Sequence, residues 1–204
     1  MIAIVDYGAG NIFSVKNALD YLGVENSLTK SAAEIQSADA IILPGVGAFP
    51  WAMGKLCESG LVDTLKAEAK KKPFLGICLG MQLLFDKSYE FEECNGLGLI
   101  SGYVDKIDEP NLVIPHMGWN KLVYNHDCPL LEGLSDDEYV YFVHSYKAFC
   151  EDKNLCAYVD YGSPVTALVS DGNLCFGSQF HPEKSGKTGL KILENFVGLA
   201  KERI

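Results

Sequence analysis

Three apolar runs without alternation constrain this chain more than any other feature: Ile2 to Val5, Ala40 to Leu43 and Phe74 to Ile77. A strand with one face in water alternates apolar and polar residues, so an unbroken run means burial on both faces. Helical patterns lie between the runs. Asn11 is placed as an N-cap, and Ile12, Val15, Leu19 and Leu22 follow at helical spacing until Gly23 closes the helix. Trp51, Leu56, Leu61 and Leu65 mark a second helical region, which leads to the basic run Lys70-Lys71-Lys72. After Cys78 the chain reads as helix again, through Leu79, Gln82, Leu83 and Phe85. Doubly buried strands alternating with amphipathic helices predict an α/β fold with a central, mostly parallel sheet flanked by helices.

From about Leu99 to Gly177 the pattern changes to short β-rich segments, such as Tyr139–Val143, Ala157–Tyr161 and Val165–Val169, separated by Gly, Asp and Asn turns. This is the expected additional antiparallel portion. The chain closes with a helix that places Leu193, Phe196, Val197 and Ala200 on one face. It has no internal repeat, low-complexity tract or linker, so residues 1–204 read as one domain.

Composition narrows the function. A net charge of −10 argues against a nucleic-acid binder, which needs Lys and Arg to neutralise phosphates. The start Met1-Ile2-Ala3-Ile4-Val5-Asp6 lacks the basic and then apolar pattern of a signal peptide, and no apolar stretch nears the ~20 residues of a membrane span. The seven cysteines are odd in number and lack C-x-x-C spacing, which suits neither a disulfide framework nor a zinc site. The expected setting is a reducing cytoplasm, with no membrane or nucleic-acid partner, no metal and no cofactor.

One cysteine stands apart. Gly76-Ile77-Cys78-Leu79-Gly80 sits where a buried strand meets a helix, with the G-x-C-x-G spacing of a nucleophile elbow. The flanking glycines leave room in a tight turn, and free N–H groups at the helix start favour thiolate over thiol. A free cysteine is ordinarily a small buried apolar residue. The other six are read that way; Cys78 is read as a nucleophile.

A thiol nucleophile needs a histidine to move protons and a third group to orient that histidine. Of the four histidines, His126 lies in a polar, exposed stretch, while His116 and His144 are read as structural or interface residues. His181 lies in Gln179-Phe180-His181-Pro182-Glu183-Lys184-Ser185. Pro182 favours an extended conformation at His181, and residues two apart on an extended segment point to the same side. Glu183 is therefore placed to orient His181, the alternative being a surface His–Glu pair near a helix cap. Three decoys fail. No P-C-x-x-C follows His181-x-Glu183 as a zinc deaminase would require, His181 stands where a P-loop ending in Gly186-Lys187-Thr188 needs glycine, and neither Gly8-x-Gly10 nor Gly45-x-Gly47 has the third glycine of a dinucleotide site.

Attack on a carboxamide creates an oxyanion that needs preorganised N–H donors. Leu79 N–H follows the nucleophile directly. The loop Pro44-Gly45-Val46-Gly47, at the end of a neighbouring strand, is a source of the second donor; its alternative is a plain strand-ending turn.

Gly-x-Cys-x-Gly followed by His-Pro-Glu near the C-terminus resembles the class I glutamine amidotransferases. Gly76-Ile77-Cys78-Leu79-Gly80-Met81-Gln82, Pro44-Gly45-Val46-Gly47, Pro115-His116-Met117-Gly118-Trp119-Asn120 and Tyr141-Phe142-Val143-His144-Ser145-Tyr146 are similar, more narrowly, to the glutaminase subunits of imidazole glycerol phosphate synthases. The resemblance runs from Gly8 to Ser185. It implies a Cys78–His181–Glu183 triad, oxyanion donors at Val46 and Leu79, and glutamine held by Gly47, Gln82, Glu90, His144, Ser145 and Tyr146. It also implies a heterodimer with a (β/α)8-barrel cyclase, which receives ammonia by an internal channel and makes imidazole glycerol phosphate and AICAR. Asn11, Trp119, Tyr141 and Lys184 would lie at or near that interface, and the Gly45–Val46 peptide would flip when the partner is loaded. Competing readings are a related subunit feeding another synthase, such as one of surface-sugar biosynthesis, a self-sufficient γ-glutamyl hydrolase, and an inactive interaction subunit.

Overall fold

The computed structural model describes residues 1–201. Its first part alternates as expected: β1 (Ile2–Val5), α1 (Ile12–Tyr21), β2 (Asn26–Thr29), α2 (Ala32–Ser37), β3 (Ala40–Gly45), α3 (Phe49–Glu58), α4 (Val62–Glu68), β4 (Phe74–Cys78) and α5 (Leu79–Gln82). Short strands dominate the rest: β5 (Phe85–Ser88), β6 (Cys94–Asn95), β7 (Ile100–Lys106), β8 (His116–Lys121), β9 (Val123–Tyr124), β10 (Tyr139–His144), β11 (Tyr146–Cys150), β12 (Leu155–Tyr161), β13 (Ser163–Ser170) and β14 (Cys175–Ser178). The long helix α6 (Gly186–Lys201) closes the described chain. Among the described residues no helix is long and apolar enough to cross a membrane.

The main sheet has eight strands in the order β2-β1-β3-β4-β14-β13-β12-β9. Strands β2, β1, β3, β4 and β14 pair in parallel, and β13, β12 and β9 continue antiparallel. Every residue of β1, β3 and β4 is buried, which is what their unbroken apolar runs require. Successive residues of β1 serve opposite faces. Ile2 and Ile4 pack with Val15 and Leu19 of α1 and Leu193 and Phe196 of α6, whereas Ala3 and Val5 pack with Ile35, Leu56 and Leu65 from α2, α3 and α4. Each fully buried Ile, Leu or Phe contributes roughly 1.5–3 kcal/mol, so covering both faces of the sheet with helices is strongly stabilising. By contrast β10 alternates buried and partly exposed residues, because it pairs only with β8 in a separate two-stranded sheet. A four-stranded sheet, β11-β7-β5-β6, completes the antiparallel portion.

The structure adds local detail and corrects two expectations, the length of the helix after Cys78 and the capping role of Asn11. The helical region after β3 is two helices, α3 and α4, broken at Ser59-Gly60. Its buried face is Phe49, Ala52, Met53 and Leu56, which 3.6-residue periodicity groups together. Trp51 falls on the other side and is 50% exposed. The helix after Cys78 is one turn only, and Phe85 begins β5. Asn11 occupies the N-cap position of α1 but its side chain makes no capping hydrogen bond. The structure adds the polar strand β2 and the short helix α2, which no apolar run or stripe marks in the sequence. Lys72, from the basic run, ties α2 down by donating to the carbonyls of Ile35, Gln36 and Ala38 at 3.2, 2.7 and 2.7 Å.

Candidate active site

Cys78 ends β4, where strand register sets its surroundings. Gly45 of β3 lies opposite Cys78, and Ser178 of β14 lies opposite Ile77. The sulfur therefore stands at the carboxyl ends of three adjacent parallel strands, the edge at which open α/β sheets receive ligands. The loop after β3 supplies Val46 and Gly47 on one side; the segment after β14 supplies Gln179 and His181 on the other.

The turn at Cys78 is strained. Its φ of 56° and ψ of −113° lie in a region that costs a non-glycine residue about 1–3 kcal/mol, a cost the surrounding packing must offset. The flanking glycines are obligatory: a Cβ on Gly76 would lie 2.5 Å from the Gly80 carbonyl oxygen, and one on Gly80 would lie 1.8 Å from that of Leu43. Because α5 is a single turn, its contribution to the sulfur is local N–H groups rather than a long helix dipole.

His181 and Cys78 both line a cavity of about 380 Å³. His181 Nδ1 lies 2.8 Å from Glu183 Oε1, and the side chains of this pair are 3% and 1% exposed. Burial opposes the imidazolium, yet hydrogen bonding to Cys78 and Glu183, with their charges, outweighs it and holds the His181 pKa up at about 9. The turn carrying His181 is clamped to β10: His181 N donates to Tyr141 O at 3.0 Å, and the Ser185 hydroxyl donates to His181 O at 2.6 Å while accepting from Tyr141 N at 3.0 Å.

The remaining candidates divide. Val46, Gly47, Leu79 and Gln82 line the cavity, as do Glu90, His144, Ser145, Tyr146 and Lys184. Asn11, Trp119 and Tyr141 lie outside its wall; Trp119 and Tyr141 pair edge-on with ring centroids 6.1 Å apart. Glu90 is 7% exposed, and burial pushes its carboxyl pKa up although Phe49 N, at the start of α3, donates to it at 2.8 Å. Gln82 Nε2 is already engaged, with Tyr146 O at 3.0 Å and Gln179 Oε1 at 2.9 Å. What Gln82 has left to offer a substrate is its carbonyl oxygen.

A family profile described as "Glutamine amidotransferase class-I" matches residues 3–199. The chain belongs to the class-I glutamine amidotransferase family. It is 52% identical over 202 residues to "Imidazole glycerol phosphate synthase subunit HisH" of Bacillus cereus (strain B4264), covering 98% of this chain and 96% of the relative. The HisH subunit of Bacillus cytotoxicus is 51% identical over 203 residues, covering 99% and 96%. A solved glutamine amidotransferase superposes with a TM-score of 0.77 at 21% identity over 98% of this chain and 100% of that one. PurLQS from Thermotoga maritima gives 0.73 at 20% identity over 97% of each. At such identity the likeness shows the shared fold.

Two residues of this amidotransferase's site carried no role in the sequence reading. Gln179 is fully buried and donates from Nε2 to Cys78 Sγ at 3.8 Å. The two-residue spacing that singles out Glu183 points equally, in the other direction from His181, to Gln179. Tyr7 also approaches the sulfur: burial first, and then the charge of Cys78, push its hydroxyl's pKa up, and that hydroxyl has no hydrogen-bond partner among the described residues. No local signal marks Tyr7, because a tyrosine after a buried strand is ordinary core.

Proposed function

We propose that this chain is the glutaminase subunit of an imidazole glycerol phosphate synthase, hydrolysing glutamine at Cys78 and passing ammonia to a cyclase partner. The observation that carries this reading is 52% identity across nearly the whole length of a HisH subunit, in a chain whose Cys78 and His181 line one cavity while Glu183 bonds His181 from behind.

The chemistry follows from the groups present. The Cys78 thiolate attacks the side-chain carboxamide carbon of glutamine, and N–H groups of Leu79 and the Val46 loop take the oxyanion. His181, protonated below about pH 9, gives its proton to the departing nitrogen and releases ammonia. The neutral imidazole then removes a proton from water, whose oxygen adds to the γ-glutamyl thioester; glutamate is released and the thiolate–imidazolium pair is restored. Glu183 keeps His181 in the required tautomer and charge state. The Glu90 carboxylate suits the substrate's α-ammonium group, and the Gln82 carbonyl, with backbone groups of Gly47 and residues 144–146, fits the rest. The partner is a (β/α)8-barrel cyclase, with Asn11, Trp119, Tyr141 and Lys184 at or near the shared face. Residues 1–204 act as one domain. All seven cysteines are free, which suits a reducing cytoplasm.

The test is glutamate release by the purified chain, measured with and without the cyclase and its phosphoribulosyl-formimino carboxamide nucleotide. Marked stimulation by cyclase and nucleotide together is expected. High activity of the chain alone, unchanged by the partner, would favour a self-sufficient hydrolase instead.

A further inference from the structure

Two buried histidines outside the reaction scheme are wired to it by hydrogen bonds whose direction is fixed. His144 Nδ1 lies 2.8 Å from Tyr146 O, and a carbonyl only accepts, so Nδ1 carries the proton. His144 Nε2 is then an acceptor, 2.9 Å from His116 Nδ1, which must donate. His116 Nε2 accepts in turn from Asn120 Nδ2 at 3.1 Å. Both rings are neutral: burial lowers the pKa of His116 to about 4 and, as the main cause, that of His144 to about 3.

The chain continues past Tyr146. The same carbonyl accepts from Gln82 Nε2, whose other hydrogen goes to Gln179 Oε1, which leaves Gln179 Nε2 aimed at Cys78 Sγ. A flip of the Gln82 amide would set two carbonyl oxygens face to face at Gln179. Relief by flipping Gln179 would then turn an oxygen, an acceptor, toward a sulfur that must carry negative charge. The Tyr146 carbonyl opposes the first flip, and His144 and His116 hold that carbonyl.

We propose that this chain is a positioning device for the nucleophile, in which Gln179 is the donor that holds the Cys78 sulfur and His116 is a positioning residue acting on it through His144, Tyr146 and Gln82. The inference rests on Cys78 being the nucleophile. It goes further by assigning a task to Gln179 and to a histidine pair that otherwise merely pegs β8 to β10, whose register sets His116 opposite His144. It also joins the nucleophile to Asn120, the neighbour of the half-exposed Trp119 on β8.

The experiment uses the full chain and reads the rate of Cys78 carbamidomethylation by iodoacetamide, followed by mass spectrometry of the peptide containing Cys78, together with kcat and KM for glutamate release. Gln179→Glu keeps the acceptor that Gln82 needs but turns an oxygen toward the sulfur. Alkylation at pH 7 should slow about tenfold or more, the scale of one hydrogen bond to a charged group, and kcat should fall with little change in KM. At the far end, His116→Phe keeps a ring stacked between Phe142 and Tyr161, whose centroids lie 4.8 and 4.1 Å away, but removes the proton given to His144. Alkylation should slow about two- to thirtyfold. His116→Asn, whose amide nitrogen takes the place of Nδ1, should restore most of the rate. Wild-type alkylation in Gln179→Glu, or equal slowing in His116→Phe and His116→Asn, overturns the proposal. Because Gln179 is buried, the His116 pair decides the matter if Gln179→Glu does not fold. Glutamate release by Cys78→Ala would instead sink the glutaminase reading, an outcome independent of the alkylation rates.

Discussion

His181 and the His116–His144 pair are all buried, yet their surroundings drive them to opposite charge states. Around His181 stand a sulfur and a carboxylate, and the pKa is held at about 9. Around His116 and His144 stand aromatic rings, a carbonyl oxygen and each other, and the values fall to about 4 and 3. Burial penalises the charged ring in both regions. Only where a sulfur and a carboxylate stand beside the ring is that penalty overcome. One region is thereby poised to transfer protons, while the other forms a rigid neutral linkage whose value lies in its fixed donor and acceptor pattern.

The strongest way to break the contrast is to remove the sulfur. Cys78→Ala should lower glutamate release by about 10⁴-fold or more, while cyclase binding and product formation from added ammonia persist. Failure of the variant to assemble with the cyclase would contradict this division of labour. The next effect comes from the carboxylate. Glu183→Gln should cost about 10²–10⁴-fold in kcat, and the pH profile sharpens the point. Activity should decline as pH rises through about 9, because His181 loses the proton it must give to nitrogen. Without the Glu183 charge that alkaline limb should move to lower pH, and an unmoved limb would remove Glu183 from its orienting role.

In the neutral region the predicted effects concern stability. His144→Phe strands the His116 N–H and one bond to the Tyr146 carbonyl, and should cost about 1–3 kcal/mol in urea unfolding. The remaining effect is a difference in sign with pH. His181, with a raised native pKa, adds stability that is complete below its unfolded value near 6.5 and is lost as pH rises toward 9. His116 and His144, with depressed native values, add stability above pH 6.5 that is lost as pH falls toward 4. The urea midpoint should therefore fall on both sides, and His116→Asn should flatten the acid limb alone.

Much of this was legible in the residues themselves. Unbroken burial of β1, β3 and β4 was written in runs that leave no polar face, and the apolar stripe of α6 in its helical period. The elbow glycines announced the turn at Cys78, because nothing larger fits where backbone meets backbone. Trp51 lies in the helical region it marks, and the period of α3 rotates it outward, away from Phe49, Ala52, Met53 and Leu56. The turn of helix after Cys78 was read too long because Leu83, Leu84 and Phe85 are apolar whether the backbone coils or extends, and they are buried either way.

Taken alone, the sequence determined which segments must be buried and which side chains could perform nucleophilic chemistry, since both depend on residue type and local spacing. Only the tertiary structure decided which groups are charged, which way each amide points, and that Gln179 and two histidines from β8 and β10 connect to the sulfur. Those properties depend on partners far apart along the chain. Cys78 meets Gln179 across 101 positions, and no local pattern encodes a hydrogen bond whose two ends are brought together by a sheet.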